Sequence, residues 1–532
     1  MGMLENTIAY FAPVWAQKRD EARMRLSLSA QTRGIFSGGG AYTGASNNRT
    51  LKDWSTSSAD VNSATLPDLP VLRDRSIHLY NNTATAHGAI KTINTNVIGT
   101  GLLVRSIPDT DVLGITQEEA LEWAYKAERE FEQWAESPLS CDFARQLCFA
   151  EIQRVASIAQ QLSGDVFVLM PHKPRKGTIY DLRLQLIDAA RVSNPNDKPD
   201  DEKIAGGIEH DEDKVPIAIH IRTPHPGDNL TYAAPRWDRV ELYGAKTGRR
   251  NVLHIMEHDR ISQLRAAPIL APVIEQIRQI SKYTEAELQA AVINAVLAVF
   301  VKRDAETDNI DSSIDDDDEE KPWERADNPQ SLGSGTWIDG APGEELQIVN
   351  SARPSNQFDP FFTASMKQIG MALELPYEIL MKQFNSSYSA ARAALMDAWK
   401  MFRARRKWLV NKLCQPTYEE LITEAIIKGR IRAPGFFDDL TIRRAYLKTQ
   451  WVGPTPGQLD PGKEYDAANK AVEYGFHTRT QATAELTGQD HDEVIKGLSR
   501  EQALRERYGV TLNTGMFQPV ATNDKQKTEE EI

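Results

Sequence analysis

The sequence is poor in cysteine, in long apolar runs and in catalytic signatures, and each shortage excludes a class of protein. Three cysteines in 532 residues, Cys141, Cys148 and Cys414, make no disulfide framework, and their spacing fits no zinc template. The longest apolar stretch, Val292 to Val301, is interrupted by Asn294 and falls far short of the roughly 20 residues a membrane span needs. No segment near the start joins basic residues, an apolar run and a small-residue cleavage site, so the expectation is a protein that works in a reducing cytoplasm or in something assembled there. No G-x-S-x-G and no post-strand G-x-G-x-x-G occurs. Gly244-Ala-Lys-Thr247 lacks the glycine that a phosphate loop requires directly before its lysine. The acidic runs lack the spaced ligands of a calcium loop. No nucleotide-driven motor and no cofactor is expected.

An excess of positive charge is also missing. Sixty-two Lys and Arg against 75 Asp and Glu leave a net charge of −13, which argues against simple electrostatic capture of nucleic acid. The charge is unevenly placed. From Asp304 to Gln330 there are twelve acids against Lys321 and Arg325; from Ala391 to Gln450 there are thirteen bases against six acids. Two such blocks point to surfaces with different partners, or to two solvated faces. Within the basic block, Arg403-Ala-Arg-Arg-Lys-Trp408 has the residues of a phosphate contact, and equally those of the solvent face of a helix whose inner side is Trp399, Phe402, Leu409 and Leu413.

One metal pattern is present. His254-Ile-Met-Glu-His258 matches H-x-x-E-H, which binds zinc only from a helix, where both histidines share a face. Here it lies on a strand-like segment, where positions four apart are separated by about 13 Å at ~3.3 Å per residue. No metal site is expected.

Periodicity gives a mixed α+β chain. Helical patterns run over Leu72–Ile98, ended by Gly99-Thr-Gly101, from Thr116 to about Glu136, and over Phe143–Leu162. Alternation then marks strands at Val166–Leu169, Leu182–Ile187, Ile217–Ile221 and Val252–Ile255. Pro272 to Arg303 reads as one long helix, with Ile269, Val273, Ile277 and Ile280 on a stripe that Leu288, Val292, Val296 and Val299 continue. The acidic insert and a Gly/Pro-rich piece follow. A second helix, from Pro360 to Leu375, is ended by Pro376; the polar loop Lys382–Ser389 leads to a long helix from Ala390 to Cys414, before Pro416. The rest is mostly helical, broken at Gly453-Pro-Thr-Pro-Gly457.

This order, together with several short stretches, resembles the portal proteins of tailed bacteriophages, in particular the lambda-like portal family. The stretches are Leu79-Tyr-Asn-Asn82 with Ala89-Ile90 and Val97-Ile-Gly99, Arg191-Val-Ser-Asn-Pro-Asn196, and Leu253-His-Ile-Met-Glu257. Ser387-Tyr-Ser-Ala-Ala-Arg392 with Trp399 and Arg405-Arg-Lys-Trp408, and Gln450-Trp-Val-Gly453 with Glu464, Ala467 and Ala471, complete the likeness over residues 70–510.

The resemblance implies a phage portal fold: an α+β wing, long stem helices, a small clip and a mostly helical crown, forming a ring. Carried onto this sequence, 1–64 is a flexible N-terminal arm, 65–265 the wing, 266–303 and 355–376 the two stem helices, and 304–354 the clip with the acidic insert. Residues 377–389 are the tunnel loop, 390–455 wing helices, 456–510 the crown and 511–532 a disordered tail. The implied protein is no enzyme. It is a homododecamer at one capsid vertex of the virion, assembled in the host bacterial cytoplasm, through which double-stranded DNA is packaged and ejected without sequence preference. Implied partners are the terminase large subunit, the major capsid or scaffold protein and the head–tail connector or adaptor proteins, with no membrane. The DNA-channel residues would be Lys382, Gln383, Asn385, Ser386, Ser387 and Tyr388; the docking residues of the clip would be Asp316, Asp317, Trp323, Arg325 and Trp337. Two other readings compete: a nucleic-acid-binding regulator built on the basic 390–450 helices, and a zinc hydrolase at His254–His258.

Overall fold

Thr116 shows how local chemistry sets the elements. Its backbone N–H donates to Glu119 at 2.8 Å, and its hydroxyl accepts from the Glu119 N–H at 3.3 Å. This capping box opens the helix Gln117–Ala135, whose Ala120, Trp123, Ala124, Ala127, Phe131 and Trp134 form its buried stripe. The computed structural model describes residues 59–296, 300–301, 338–339, 358–384, 387–456, 461–487 and 491–508. All but the first two of these fall in one unit, Val61–Ile532. The expected arm, nearly all of the clip and the C-terminal tail lie outside the described residues.

The longer helices in the described residues up to Ser163 are α1 (Leu69–Asn82), α2 (Ala84–Val97), α3 (Gln117–Ala135) and α4 (Phe149–Ser163). They differ from the sequence reading in two places. The expected helix over 72–98 is two helices, because Thr83 turns extended (φ −124°, ψ 129°) and both its N–H and its hydroxyl donate to the Leu79 carbonyl. The expected start at Phe143 moves to Phe149 because the buried Asp142 carboxylate accepts the N–H groups of Ala144, Gln146 and Leu147, which holds that stretch as a turn.

Among the described residues the strands form four sheets. A two-stranded antiparallel sheet pairs β1 (Leu103–Ser106) with β11 (Thr449–Val452). A three-stranded sheet has β2 (Asp165–Leu169) between β3 (Gln185–Ile187) and β8 (Val252–Met256). A four-stranded sheet runs β4 (Ile204–Ala205), β5 (Ile208–His210), β6 (Pro216–Thr223), β7 (Arg236–Glu241). The expected strand over 182–187 shortens to its last three residues. Strand β7 was not anticipated, since Arg236, Asp238, Arg239 and Glu241 give it an edge-strand surface that reads as loop.

After Ala271–Val273, one turn of 3-10 helix, α5 spans Ile274–Val296. The long helix does not reach Arg303: Phe300–Val301 (β9) pairs in parallel with Ile338–Asp339 (β10). Ile277 and Ile280 are buried, whereas Leu288 and Val292 are 65% and 55% exposed, so Leu288 and Val292 do not join the core of this chain. Helix α6 covers Phe358–Ala372 and the short α7 Tyr377–Leu380. Helix α8 covers Tyr388–Leu409.

Pro416 does not end the next helix, as expected, but sits inside it. A wide π-type turn at Val410–Cys414 joins α8 to α9 (Gln415–Ile427), and this i→i+5 geometry accommodates a proline that has no N–H to give. The short α10 (Leu440–Tyr446) precedes β11, and α11 (Pro461–Glu473), α12 (Arg479–Thr487) and α13 (His491–Tyr508) close the described chain. The main core draws on α1 to α9. Phe131 lies near its middle, within 5.4 to 5.8 Å, ring centre to ring centre, of Trp134, Phe149, Tyr418 and Trp451.

Candidate functional site

The link between α6 and α8 is held by hydrogen bonds at both of its described ends. Glu374 adopts φ +56° after α6, and the Leu375 N–H returns to the Gly370 carbonyl at 2.8 Å. That return needs glycine: a Cβ on Gly370 would meet the Leu375 carbonyl oxygen at 2.5 Å. Pro376 then starts α7, whose Ile379 and Leu380 are buried in the core. The Gln383 N–H donates to the Glu378 carbonyl at 3.1 Å, and Lys382 turns left-handed at φ +54°. Lys382, Gln383 and Phe384 are exposed. On the far side Ser387, also exposed, accepts the Ala390 N–H at 3.4 Å and opens α8, with Tyr388 as its first residue. Asn385 and Ser386 lie outside the described residues, as do all five docking candidates, Asp316, Asp317, Trp323, Arg325 and Trp337.

The exposed link therefore presents a cation and an amide from a rigid base. Tyr377, whose hydroxyl donates to Gln383 at 3.4 Å, has Lys367 of α6 over its ring at 5.7 Å. Lys367 is a second cation beside the link that the sequence reading missed. Its spacing in α6 carries no signal, because the neighbourhood exists only once α6 and α7 fold back on each other.

The residues of the H-x-x-E-H match turn to different partners. His254 on β8 faces Asp165 of β2 at 3.2 Å, and its ring stacks on Phe167 with centroids 4.3 Å apart. The same carboxylate takes Arg73 of α1 at 2.9 Å and Arg265 at 2.5 Å. Burial works to raise the Asp165 pKa, but Arg265 and Arg73 outweigh it and hold the carboxyl well below the usual range. Burial lowers the His254 pKa against the pull of Asp165, so the ring stays neutral, and burial with Arg265 lowers Arg73 to about 10. Glu257, raised by burial, faces Arg405 at 3.5 Å, while burial and then Lys412 lower His258. Among the described residues no group of three His, Cys, Asp or Glu side chains is placed to hold a metal ion. His254 is thus taken up by a buried network that pins α1, β2, β8 and the segment before α5 together, whereas Glu257 turns to Arg405 and His258 is exposed.

The basic run in α8 splits by role. Arg406 donates to the carbonyls of Val97 (2.9 Å), Asn96 (2.9 Å) and Pro454 (2.7 Å), so it closes the C-terminal end of α2. Burial and the neighbouring Arg403 lower its pKa to about 10. Gly453 lets it approach, since a Cβ there would meet the Arg406 Nε at 2.9 Å and Leu102 at 2.6 Å. Arg405 faces Glu257, while Arg403 and Lys407 remain exposed. Half of the phosphate-contact candidate is therefore structural.

Comparison with known proteins bears on the whole chain. It is 24% identical to portal protein B of Escherichia phage lambda over 93% of this chain and 94% of that protein. It is 23% identical to the portal protein of Escherichia phage N15, over 94% and 95%. A probable portal protein of Halomonas phage phiHAP-1 is 22% identical over 86% and 84%. A chain in the neck of an empty gene transfer agent particle, 13% identical, aligns over 78% of this chain and 92% of its own, with a TM-score of 0.39. The family model described as phage portal protein, lambda family, matches residues 47–406, more than half the sequence. The chain belongs to the lambda family of phage portal proteins.

Proposed function

We propose that this chain forms a closed ring of twelve copies at one capsid vertex and that double-stranded DNA passes through the ring during packaging and ejection. As a lambda-family portal protein it is a structural component of the phage particle and not an enzyme. In this reading α5 and α6 are the stem, 377–389 is the tunnel loop, 65–265 with 390–455 make the wing, 456–510 the crown, and 304–354 form the clip. The terminase large subunit docks on the clip during packaging, and connector proteins replace it afterwards; the capsid or scaffold protein holds the rim.

The observation that carries the proposal is the family match over 47–406, which runs from before α1 through α5, α6 and α7 into α8. Physical chemistry supports it in two ways. Leu288 and Val292 on α5 and Phe361 on α6 leave apolar surface that neighbours in a ring would cover. A channel for DNA must not hold it: twelve copies at −13 sum to about −156, so most of the assembly repels phosphate and only sparse groups touch it. The test is native mass spectrometry with negative-stain imaging of the purified protein over a concentration series. Rings near twelve times 59.6 kDa are expected. A protein that stays monomeric or dimeric at every concentration and binds free DNA tightly would instead be the regulator.

A further inference from the structure

A cyclic assembly that closes head to tail joins two different patches of the same chain, so those patches must complement each other without either being self-complementary. Among the described residues two long helix faces meet that requirement. The outer face of α3, continued to Glu136, exposes Glu118, Glu119, Glu122, Glu132 and Glu136 against Lys126 and Arg129. The outer face of α8 exposes Arg392, Lys400, Arg403 and Lys407 against Asp397. The first sums to −3 and the second to +3.

Both are continuous stripes at helical spacing. Glu118 to Glu136 covers about 27 Å and Arg392 to Lys407 about 22 Å, at ~1.5 Å per residue. Each stripe also carries exposed apolar surface among its charges: Leu121 (55%) and Tyr125 (52%) on α3, Met396 (61%) on α8. An apolar centre rimmed by charge is the composition of a protein–protein contact. Apart from Glu119, whose carboxylate caps α3 through Thr116, the charges that hold this chain's own fold are absent from the stripes. Glu128 and Glu130 of α3 turn to Arg105 and Arg430, and Arg405 and Arg406 of α8 turn to Glu257 and the end of α2. What remains outside is left over from folding. The ion pairs inside each stripe, Lys126 with Glu122 and Lys400 with Asp397, are exposed on both sides and compete weakly with a partner.

We propose that the acidic face of α3 in one copy docks on the basic face of α8 in the next copy around the ring. The inference rests on the ring reading and adds to it which surfaces meet and why the contact is directional. A second copy is the occupant that charge complementarity favours, because it supplies an acidic stripe of matching length and opposite sign to the basic one.

Charge reversal tests it on the full-length protein. Lys400→Glu with Lys407→Glu, and separately Glu118→Lys with Glu132→Lys, should each lower the ring fraction at fixed concentration by at least about tenfold. Mixing the two variants presents each changed face to an unchanged opposite face and to its changed complement; carrying all four substitutions in one chain should restore rings. The wild-type ring fraction should fall as salt rises. Rings of both double variants with unchanged concentration dependence would overturn the inference while leaving the ring reading intact. Failure of the wild type to form rings at any concentration would count against the ring reading itself. A basic-face variant that forms normal rings but loses DNA retention would also overturn the inference, assigning that stripe to phosphate. If circular dichroism shows a reversal variant misfolded, the Gln versions at the same positions decide. A rise of about threefold in the concentration needed for rings supports the contact, and no change overturns it.

Discussion

At the scale of single residues, Asp165 concentrates the consequences of burial. A carboxylate removed from water is costly unless it is paired, and here two guanidinium groups and an imidazole reach it from three different segments. Because its folded pKa is depressed, the stability it contributes is present above its unfolded value near 3.9 and is lost only as pH falls through the lower folded value. His254 gives an earlier signal. Burial lowers its pKa, as it does for His210 and His258, so below about pH 6.5 the unfolded chain takes up protons that the folded chain refuses. The contribution of these three rings to stability therefore falls as pH drops from about 7.5 to about 5.5. Urea denaturation at fixed protein concentration should show a lower midpoint at pH 5.5, and His254→Gln should shrink that step. A midpoint that rises toward pH 5.5 would mean that these rings are charged in the fold.

At the scale of elements, Arg406 shows how one side chain joins distant parts of the chain. It belongs to α8 yet satisfies carbonyls at the end of α2 and after β11, residues 96, 97 and 454. Arg406→Ala would leave those carbonyls without their donor and should cost about 3 kcal/mol, measured by urea denaturation. Arg406→Lys should recover only part of it, because a single ammonium does not reproduce the planar fork. Exchange of the last α2 amides should quicken in both. An unchanged midpoint in Arg406→Ala would show that water replaces the guanidinium at no cost.

Elements of this kind mark the limit of what the sequence alone conveys. Helix α3 was readable to within a residue, because Thr116 and Glu119 announce its start and Pro138 its close. The start of α4 was hidden by Asp142, whose capping role depends on a fold-back that no periodicity reveals. Pro416 signalled a break and received a π-turn instead, and β7 carried charges on an edge where a buried strand would carry valines. Of the exposed link, the sequence conveys a polar loop, Lys382–Ser389, between two helices, and Lys382, Gln383 and Ser387 are exposed there. Lys367 joined them only through the packing of α6 on α7. The split of Arg403-Ala-Arg-Arg-Lys407 between structure and surface was equally invisible, since it depends on which side of α8 meets α2.

At the scale of the whole molecule, charge decides how the proposed ring would handle DNA. A ring with this sequence has a strongly negative sum, so affinity for free duplex should be low and fall little with added salt, because few phosphates are neutralised. What contact occurs must come from groups that project beyond the acidic surroundings. Lys382 and Gln383 are placed for that: both are exposed, and the Gln383 N–H is bonded to the Glu378 carbonyl of α7. Their contacts would be sequence-independent, a cation and an amide against phosphate oxygens. Lys382→Ala combined with Gln383→Ala removes both groups from a surface site, and ring mass and thermal stability should stay as in the wild type. Packaging in an assembled system should then lose efficiency or retain shortened genomes, by about threefold or more, since the weak hold multiplies around the ring. If the double variant packages full-length DNA at an unchanged rate and retains it, the exposed link is only a connector between α7 and α8, and the contacts that restrain DNA lie elsewhere on the ring.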